Sequence, residues 1–63
     1  MTSEGARSTI FRLAEVEDTG GPVKAVFRKA ARRLHPDLGE VDAEAFKLLE
    51  LAKSVLQSAG LYV

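Results

Sequence analysis

The chain has 63 residues, of which 46% are hydrophobic and 29% charged, with nine cations, nine acids and no cysteine. A chain of this length and composition predicts one small folded domain over residues 1–63, with no room for a second. The absence of cysteine excludes disulfides and thiolate metal sites.

The first part of the chain has apolar residues at helical spacing, at Ile10, Leu13 and Ala14, with Phe11 beside them. This spacing predicts a helix over residues 5–16. A break at residues 18–22 then ends it. Either Thr19 caps the next helix, or Gly21 caps it with Pro22 at the first helical position, since both schemes place proline near a helix start.

The second helical pattern separates apolar and basic residues. Its apolar stripe consists of Val23, Val26, Phe27, Ala30, Ala31 and Leu34. Its opposite side carries Lys24, Arg28, Lys29, Arg32 and Arg33. Proline disfavours α geometry in the residue before it and lacks the N–H for the next helical bond, so we expect a helix over residues 22–35. The domain therefore has a basic face although its formal net charge is zero.

The third pattern begins after a short loop. Asp42 is a suitable N-cap, and Val41 before it is placed to pack on Phe46 as a hydrophobic staple. A buried stripe then follows at Ala45, Leu49, Ala52, Leu56 and Ala59. These features predict a helix over residues 42–59, ended by a left-handed Gly60 with Leu61 as the apolar contact after it.

The three patterns predict a small all-α, three-helix fold. We expect the second and third helices to form an antiparallel pair, with the shorter first helix closing the remaining apolar side. Phe11, Phe27 and Phe46 occur one per helix, which predicts a shared aromatic centre. Leu48 and Leu51 either pack against the first helix or form a contact site, and the sequence favours packing.

Two segments of the chain resemble the J-domain, the module by which DnaJ-type co-chaperones engage DnaK-type chaperone ATPases. The segment from Val23 to Asp37 is similar to the family's second helix and its signature loop, His35-Pro36-Asp37. The segment from Phe46 to Leu56 is similar to the family's third helix. The shared positions there are Phe46, Lys47, Leu49, Ala52, Val55 and Leu56. A His-Pro-Asp alone occurs by chance, but here it stands between two matching helices in the correct order.

The resemblance implies a partner and a role for particular residues. In J-domains the signature loop and the basic second helix contact a DnaK-type ATPase of the heat-shock protein 70 family and stimulate its ATP hydrolysis. The implied partner-binding residues are His35, Pro36, Asp37, Arg28, Lys29, Arg32, Arg33, Lys24 and Lys47, with Lys24 a weaker choice and Lys47 at the rim.

The residue types suit different parts of such a contact. The cations of the second helix are suited to long-range attraction, which mainly raises the association rate and falls with added salt. Asp37 offers a carboxylate that accepts hydrogen bonds from a cation of the partner. Pro36 fixes the loop shape and so reduces the entropy lost on docking. His35 either donates to the partner or orders the loop.

The chain departs from the family in several places. Where the family usually has acidic residues, this chain has Gly20, Gly21 and Pro22, and Lys53 stands where the family has a tyrosine. The loop after the signature is shorter, and the usual fourth helix and the glycine/phenylalanine-rich and zinc-binding regions are not expected. We therefore expect either a module that recruits a chaperone to something it binds, or a stand-alone stimulator or competitor.

The alternatives belong to other functional classes. One is a J-like interaction module that binds without stimulating. Another is a basic helix-turn-helix that binds nucleic acid, which is less favoured because the cations are on the second helix rather than on the last. An enzyme is not expected, since one histidine and no cysteine leave no catalytic triad and no metal site, and we expect no cofactor and no small-molecule substrate.

The compartment is inferred from what the sequence lacks. Residues 1–8 have no apolar run and do not read as a signal peptide. No segment approaches the roughly 20 apolar residues that span a membrane. We expect a cytoplasmic protein that does not contact a membrane and is a monomer.

Overall fold

The computed structural model describes residues 1–34 and 43–63, and in these two ranges it consists of three helices without a strand. The helices are α1 (Ser3–Ala14), α2 (Val23–Leu34) and α3 (Ala43–Ser58). The all-α class and the three-helix fold predicted from the sequence are confirmed. No helix in the described part of the chain is long and apolar enough to cross a bilayer.

α1 lies two residues closer to the N-terminus than predicted, and both of its ends explain why. The hydroxyl of Thr2 accepts a hydrogen bond from the Gly5 amide at 3.0 Å, which makes Thr2 the N-cap. At the other end Glu15 adopts the left-handed conformation, with φ 57°. The amides of Glu15 and Val16 bond back to the carbonyls of Arg12 and Phe11, both at 3.0 Å, and this pair of bonds ends the helix.

Neither predicted cap scheme describes the start of α2. The Val26 amide bonds to the carbonyl of Pro22 at 3.5 Å, so Pro22 immediately precedes the helix rather than being its first residue. The Lys24 amide donates to the carbonyl of Val63 at 3.2 Å. The tail after α3 therefore satisfies one of the free amides in the first turn of α2.

α3 ends at Ser58, one residue before the predicted end, and the left-handed Gly60 predicted after it is confirmed. Gly60 has φ 73°, and its amide bonds to the carbonyl of Gln57 at 3.1 Å. The Leu61 amide reaches the carbonyl of Leu56 at 2.8 Å, which completes a Schellman motif. The proposed cap Asp42 and the staple residue Val41 lie outside the described residues.

Contacts at both ends of the helices define their directions. At one end the starts of α1 and α2 meet the tail after α3, because Ser3, Leu61 and Val63 line one groove and Lys24 bonds to Val63. At the other end Arg33 of α2 bonds to the carbonyl of Leu13 in α1. α2 and α3 are therefore antiparallel, as predicted, and α1 runs parallel to α2. α1 packs more extensively on each of them than they pack on one another.

The core is built from all three helices and contains no buried polar side chain among the described residues. Its members are Ala6, Ile10, Phe11, Ala14, Val23, Phe27, Ala30, Leu49, Ala52 and Leu56. Burial of this set is the main favourable term in the free energy of folding.

Two expectations about packing were wrong. Phe46 is only half-buried and does not belong to the core cluster, and the ring next to Phe27 is that of Tyr62 rather than another phenylalanine. Leu48 and Leu51 do not pack against α1, since they are 40% and 53% exposed. The helical period explains the second error, because Leu49 and Ala52 already fill the side of α3 that faces the core.

Candidate functional site: the basic face of the second helix

The cations of α2 lie on the side of the helix opposite to its buried residues. Val23, Phe27 and Ala30 are buried at spacings of four and three residues, so this side of the helix faces the core. The cations between them face solvent. The exposed ones are Lys24, Arg28, Lys29, Arg32 and Arg33.

Four of these five cations have no carboxylate partner among the residues that the structure describes. The ion pairs between described residues join Arg7 to Asp18 and Arg33 to Glu15. Lys24, Arg28, Lys29 and Arg32 take part in neither, so within residues 1–34 and 43–63 their charge is not neutralised by a contact. We call these four residues the basic face. An exposed row of uncompensated cations attracts acidic surfaces over about a Debye length.

Arg33 differs from the other four cations because it contacts α1. Its Nη1 donates to the carbonyl of Leu13 at 3.2 Å, and its Nη2 lies 3.1 Å from Oε2 of Glu15. A cation at the C-terminus of a helix stabilises the free carbonyls there. Arg33 therefore holds the end of α2 on the end of α1, and its charge is shared with Glu15.

Lys47 lies apart from the basic face. It is exposed on α3 and lines a small groove with Glu44, Leu48 and Leu51. None of the α2 cations lines this groove. The structure therefore does not bring Lys47 together with the cations of α2, and the rim role implied by the resemblance stays a prediction.

The signature residues His35, Pro36 and Asp37 lie outside the described residues. What the structure does describe is their approach: α2 remains helical as far as Leu34, the residue directly before His35. The basic face therefore leads along one rigid helix to the signature.

A groove that the sequence did not predict lies beside the basic face, where α2, α3 and the chain after α3 meet. It has a volume of about 670 Å³ and is lined by Lys24, Phe27, Arg28, Lys53, Gln57, Gly60 and Tyr62. We call it the tail groove. Its floor contains an aromatic pair, Phe27 and Tyr62, whose centroids are 5.8 Å apart with an interplanar angle of 85°. This edge-to-face arrangement is favourable for two rings.

Two ammonium groups border these rings. Nζ of Lys53 lies 5.0 Å from the centroid of Phe27 and 5.8 Å from that of Tyr62. Nζ of Lys24, which belongs to α2 whereas Lys53 belongs to α3, lies 5.9 Å from the Tyr62 centroid. Both lysines are within the distance at which a cation is attracted to a ring face. The charge of α2 therefore continues onto α3 through Lys53.

Burial and nearby charges shift the pKa of the Tyr62 hydroxyl. Burial raises the pKa of Tyr62 above its ordinary value of 10.0, because the charged phenolate would lose solvation. Arg28 acts in the opposite direction and Glu50 in the same direction as burial. Tyr62 is therefore a neutral hydrogen-bonding group near neutral pH.

Sequence reasoning missed Arg7, which secures the segment between α1 and α2. Its Nε and Nη2 donate to the two carboxylate oxygens of Asp18 at 3.0 Å, and Nη2 also donates to the carbonyl of Gly21 at 2.8 Å. Its Cζ lies 4.7 Å from the centroid of Phe11. No pattern in the sequence singled out this pair, because Arg7 and Asp18 lie 11 residues apart and many other pairings were equally compatible.

The described residues contain no group of three histidine, cysteine, aspartate or glutamate side chains placed to hold a metal ion.

No protein-family model, curated protein or solved structure matches the chain.

Proposed function

We propose that this chain is a J-domain-like co-chaperone module. It docks on a DnaK-type ATPase of the heat-shock protein 70 family through the basic face, and it stimulates ATP hydrolysis through His35, Pro36 and Asp37. The observation that supports this proposal best is the basic face itself, four exposed cations without a carboxylate partner among the described residues, on a helix that leads to the signature.

The proposed module performs no chemistry. It accelerates hydrolysis only if it binds the faster-hydrolysing conformation of its partner better than the resting one. Lys29 and Arg32 are exposed, so they act mainly on encounter and on salt dependence. Asp37 supplies the directional hydrogen bonds that discriminate between the two partner conformations.

The composition of α3 disfavours the nucleic-acid alternative. As the last helix it would enter the groove of the DNA, yet its exposed residues include Glu44 and Glu50 against Lys47, so it has no basic excess, and Leu48 and Leu51 are exposed beside them. Acidic and apolar side chains at that surface oppose contact with phosphates. The proposal places the protein in the cytoplasm, where a chaperone ATPase of this kind is available.

The experiment that tests this function is single-turnover ATP hydrolysis by a DnaK-type chaperone, with and without this protein. We expect stimulation by the natural sequence and almost none by His35→Gln. A control is Arg12→Gln, which removes an exposed cation of α1 that is not among the predicted partner-binding residues and should stimulate as the natural sequence does.

Two outcomes separate the alternatives. If the natural sequence binds the chaperone but leaves its hydrolysis rate unchanged, the chain is a competitor rather than a stimulator. If His35→Gln stimulates as well as the natural sequence while its helix content is unchanged, the role given to His35 is wrong.

A further inference from the structure

The tail groove has the size and the composition of a binding site. Its volume of about 670 Å³ lies within the roughly 300–1,000 Å³ typical of ligand pockets. It is much larger than a single inorganic ion needs. Its lining combines two ring faces, the amide of Gln57 and three cations.

The charge of the groove selects an anionic occupant. Lys24, Arg28 and Lys53 reach it from two helices, and within the described ranges none of them is in an ion pair with a carboxylate. Glu50 is an acid whose charge acts on Tyr62, but it is not among the residues that line the groove. The groove therefore keeps an excess of positive charge.

The two lysines are already positioned for an incoming carboxylate. The rings of Phe27 and Tyr62 hold the ammonium of Lys53 at 5.0 and 5.8 Å, and the same tyrosine lies 5.9 Å from the ammonium of Lys24. An ammonium over a ring still has N–H donors available on its other sides. Its side chain loses less conformational entropy on binding than a free lysine would.

We propose that the tail groove binds an acidic peptide segment, with one glutamate or aspartate side chain between Lys24, Arg28 and Lys53. The ring edges and the Gln57 amide contact the peptide on either side of that carboxylate. This inference deepens the proposed function, on which it rests for one point: the acidic segment belongs to the chaperone ATPase. Lys53 and Tyr62 then extend the docking surface from α2 to α3 and the tail.

The chain provides its own reporter for this site. It contains one tyrosine and no tryptophan, so its tyrosine fluorescence comes from Tyr62 alone. Titration with a capped hexaglutamate peptide at low salt should give a saturable change in this fluorescence, and capped hexaglutamine should give none. Lys53→Gln should weaken the Kd for hexaglutamate about three-fold to ten-fold, as expected for one partly exposed charged contact. Arg12→Gln, with the same loss of charge elsewhere, should change it less than two-fold, by roughly the long-range effect alone.

Several results would overturn the proposal. They are an absent or non-saturable change, equal binding of hexaglutamine, or an unchanged Kd for Lys53→Gln in a protein with natural helix content. Inorganic phosphate that binds while hexaglutamate does not would show a small-anion site instead. The hydrolysis assay with His35→Gln is independent of these titrations. Peptide binding without stimulation contradicts the proposed function. If Lys53→Gln leaves stimulation unaffected, the tail groove does not take part in docking on the chaperone.

Discussion

Arg33 at the end of α2 donates from Nη1 to the carbonyl oxygen of Leu13 in the last turn of α1, at 3.2 Å. The same guanidinium pairs with Glu15, the left-handed residue that ends α1. Two neighbouring arginines of one helix therefore have different tasks. Arg33 joins two helices, while Arg32 faces solvent without a partner among the described residues.

Replacing each of these two arginines with alanine should separate stability from docking. Arg33→Ala should lower the free energy of unfolding by up to about 1 kcal/mol, since the contact is partly exposed. Arg32→Ala should change it by less than about 0.5 kcal/mol, as is usual for an exposed side chain. Urea denaturation measures both values. In binding kinetics with the chaperone, we expect Arg32→Ala to reduce the association rate more than Arg33→Ala does; the reverse order would contradict this division.

Glu15 offers a second test because it occupies a conformation that suits glycine. Glu15→Gly removes a left-handed strain of about 1 kcal/mol but loses the ion pair with Arg33, which contributes less. Glu15→Ala loses the same ion pair and keeps the strain. The free energy of unfolding in urea should therefore be about 1 kcal/mol higher for Glu15→Gly than for Glu15→Ala. Equal values for the two variants would show that the strain is absent.

The pair of Arg7 and Asp18 predicts a dependence of stability on acid. Hydrogen bonds from Arg7, and then from the Gly20 amide, hold the pKa of Asp18 below its ordinary value of 3.8. Because the folded pKa is the lower one, this contribution to stability is complete above the unfolded pKa and is lost as pH falls through the folded pKa. Asp18→Asn should flatten the fall in thermal stability in that range. A profile identical to that of the natural sequence would contradict the contribution of Asp18.

Tyr62 predicts a loss of stability at alkaline pH. Burial raises its pKa above 10.0, so its contribution to stability is complete below pH 10.0 and is lost as pH rises through the folded pKa. Tyrosinate absorbance should show titration above 10.0, and Tyr62→Phe should remove this part of the alkaline loss of stability. A tyrosine that titrates at or below 10.0 would contradict the burial of this hydroxyl.

The sequence predicted those parts of the fold that depend on local pattern. The apolar period located all three helices, and Gly60 marked the end of α3 because only a residue that tolerates positive φ fits there. The basic face followed from the same period, since residues opposite Phe27 and Ala30 must face solvent.

The parts that were missed depend on contacts between distant residues. The direction of α1 is fixed by Arg7 and Arg33, whose partners lie 11 and 20 residues away. Tyr62 looked like part of a short tail, but the bond from the Lys24 amide to Val63 brings it over Phe27. Lys53 lines the tail groove beside Lys24 and Arg28 only because the antiparallel packing of α2 and α3 brings it next to them. No period along one helix contains this information.

The most direct test of the central claim is how stimulation of the chaperone's ATP hydrolysis depends on the concentration of this protein. If the basic face docks and the signature triggers, reversing charge at Arg28 and Arg32 should raise the half-saturating concentration at least about ten-fold and leave the maximal rate unchanged. The shift should shrink as salt is added, because screening weakens the attraction that the variant lacks. A curve that coincides with that of the natural sequence, at low and at high salt, would contradict the claim that the second helix docks through its cations.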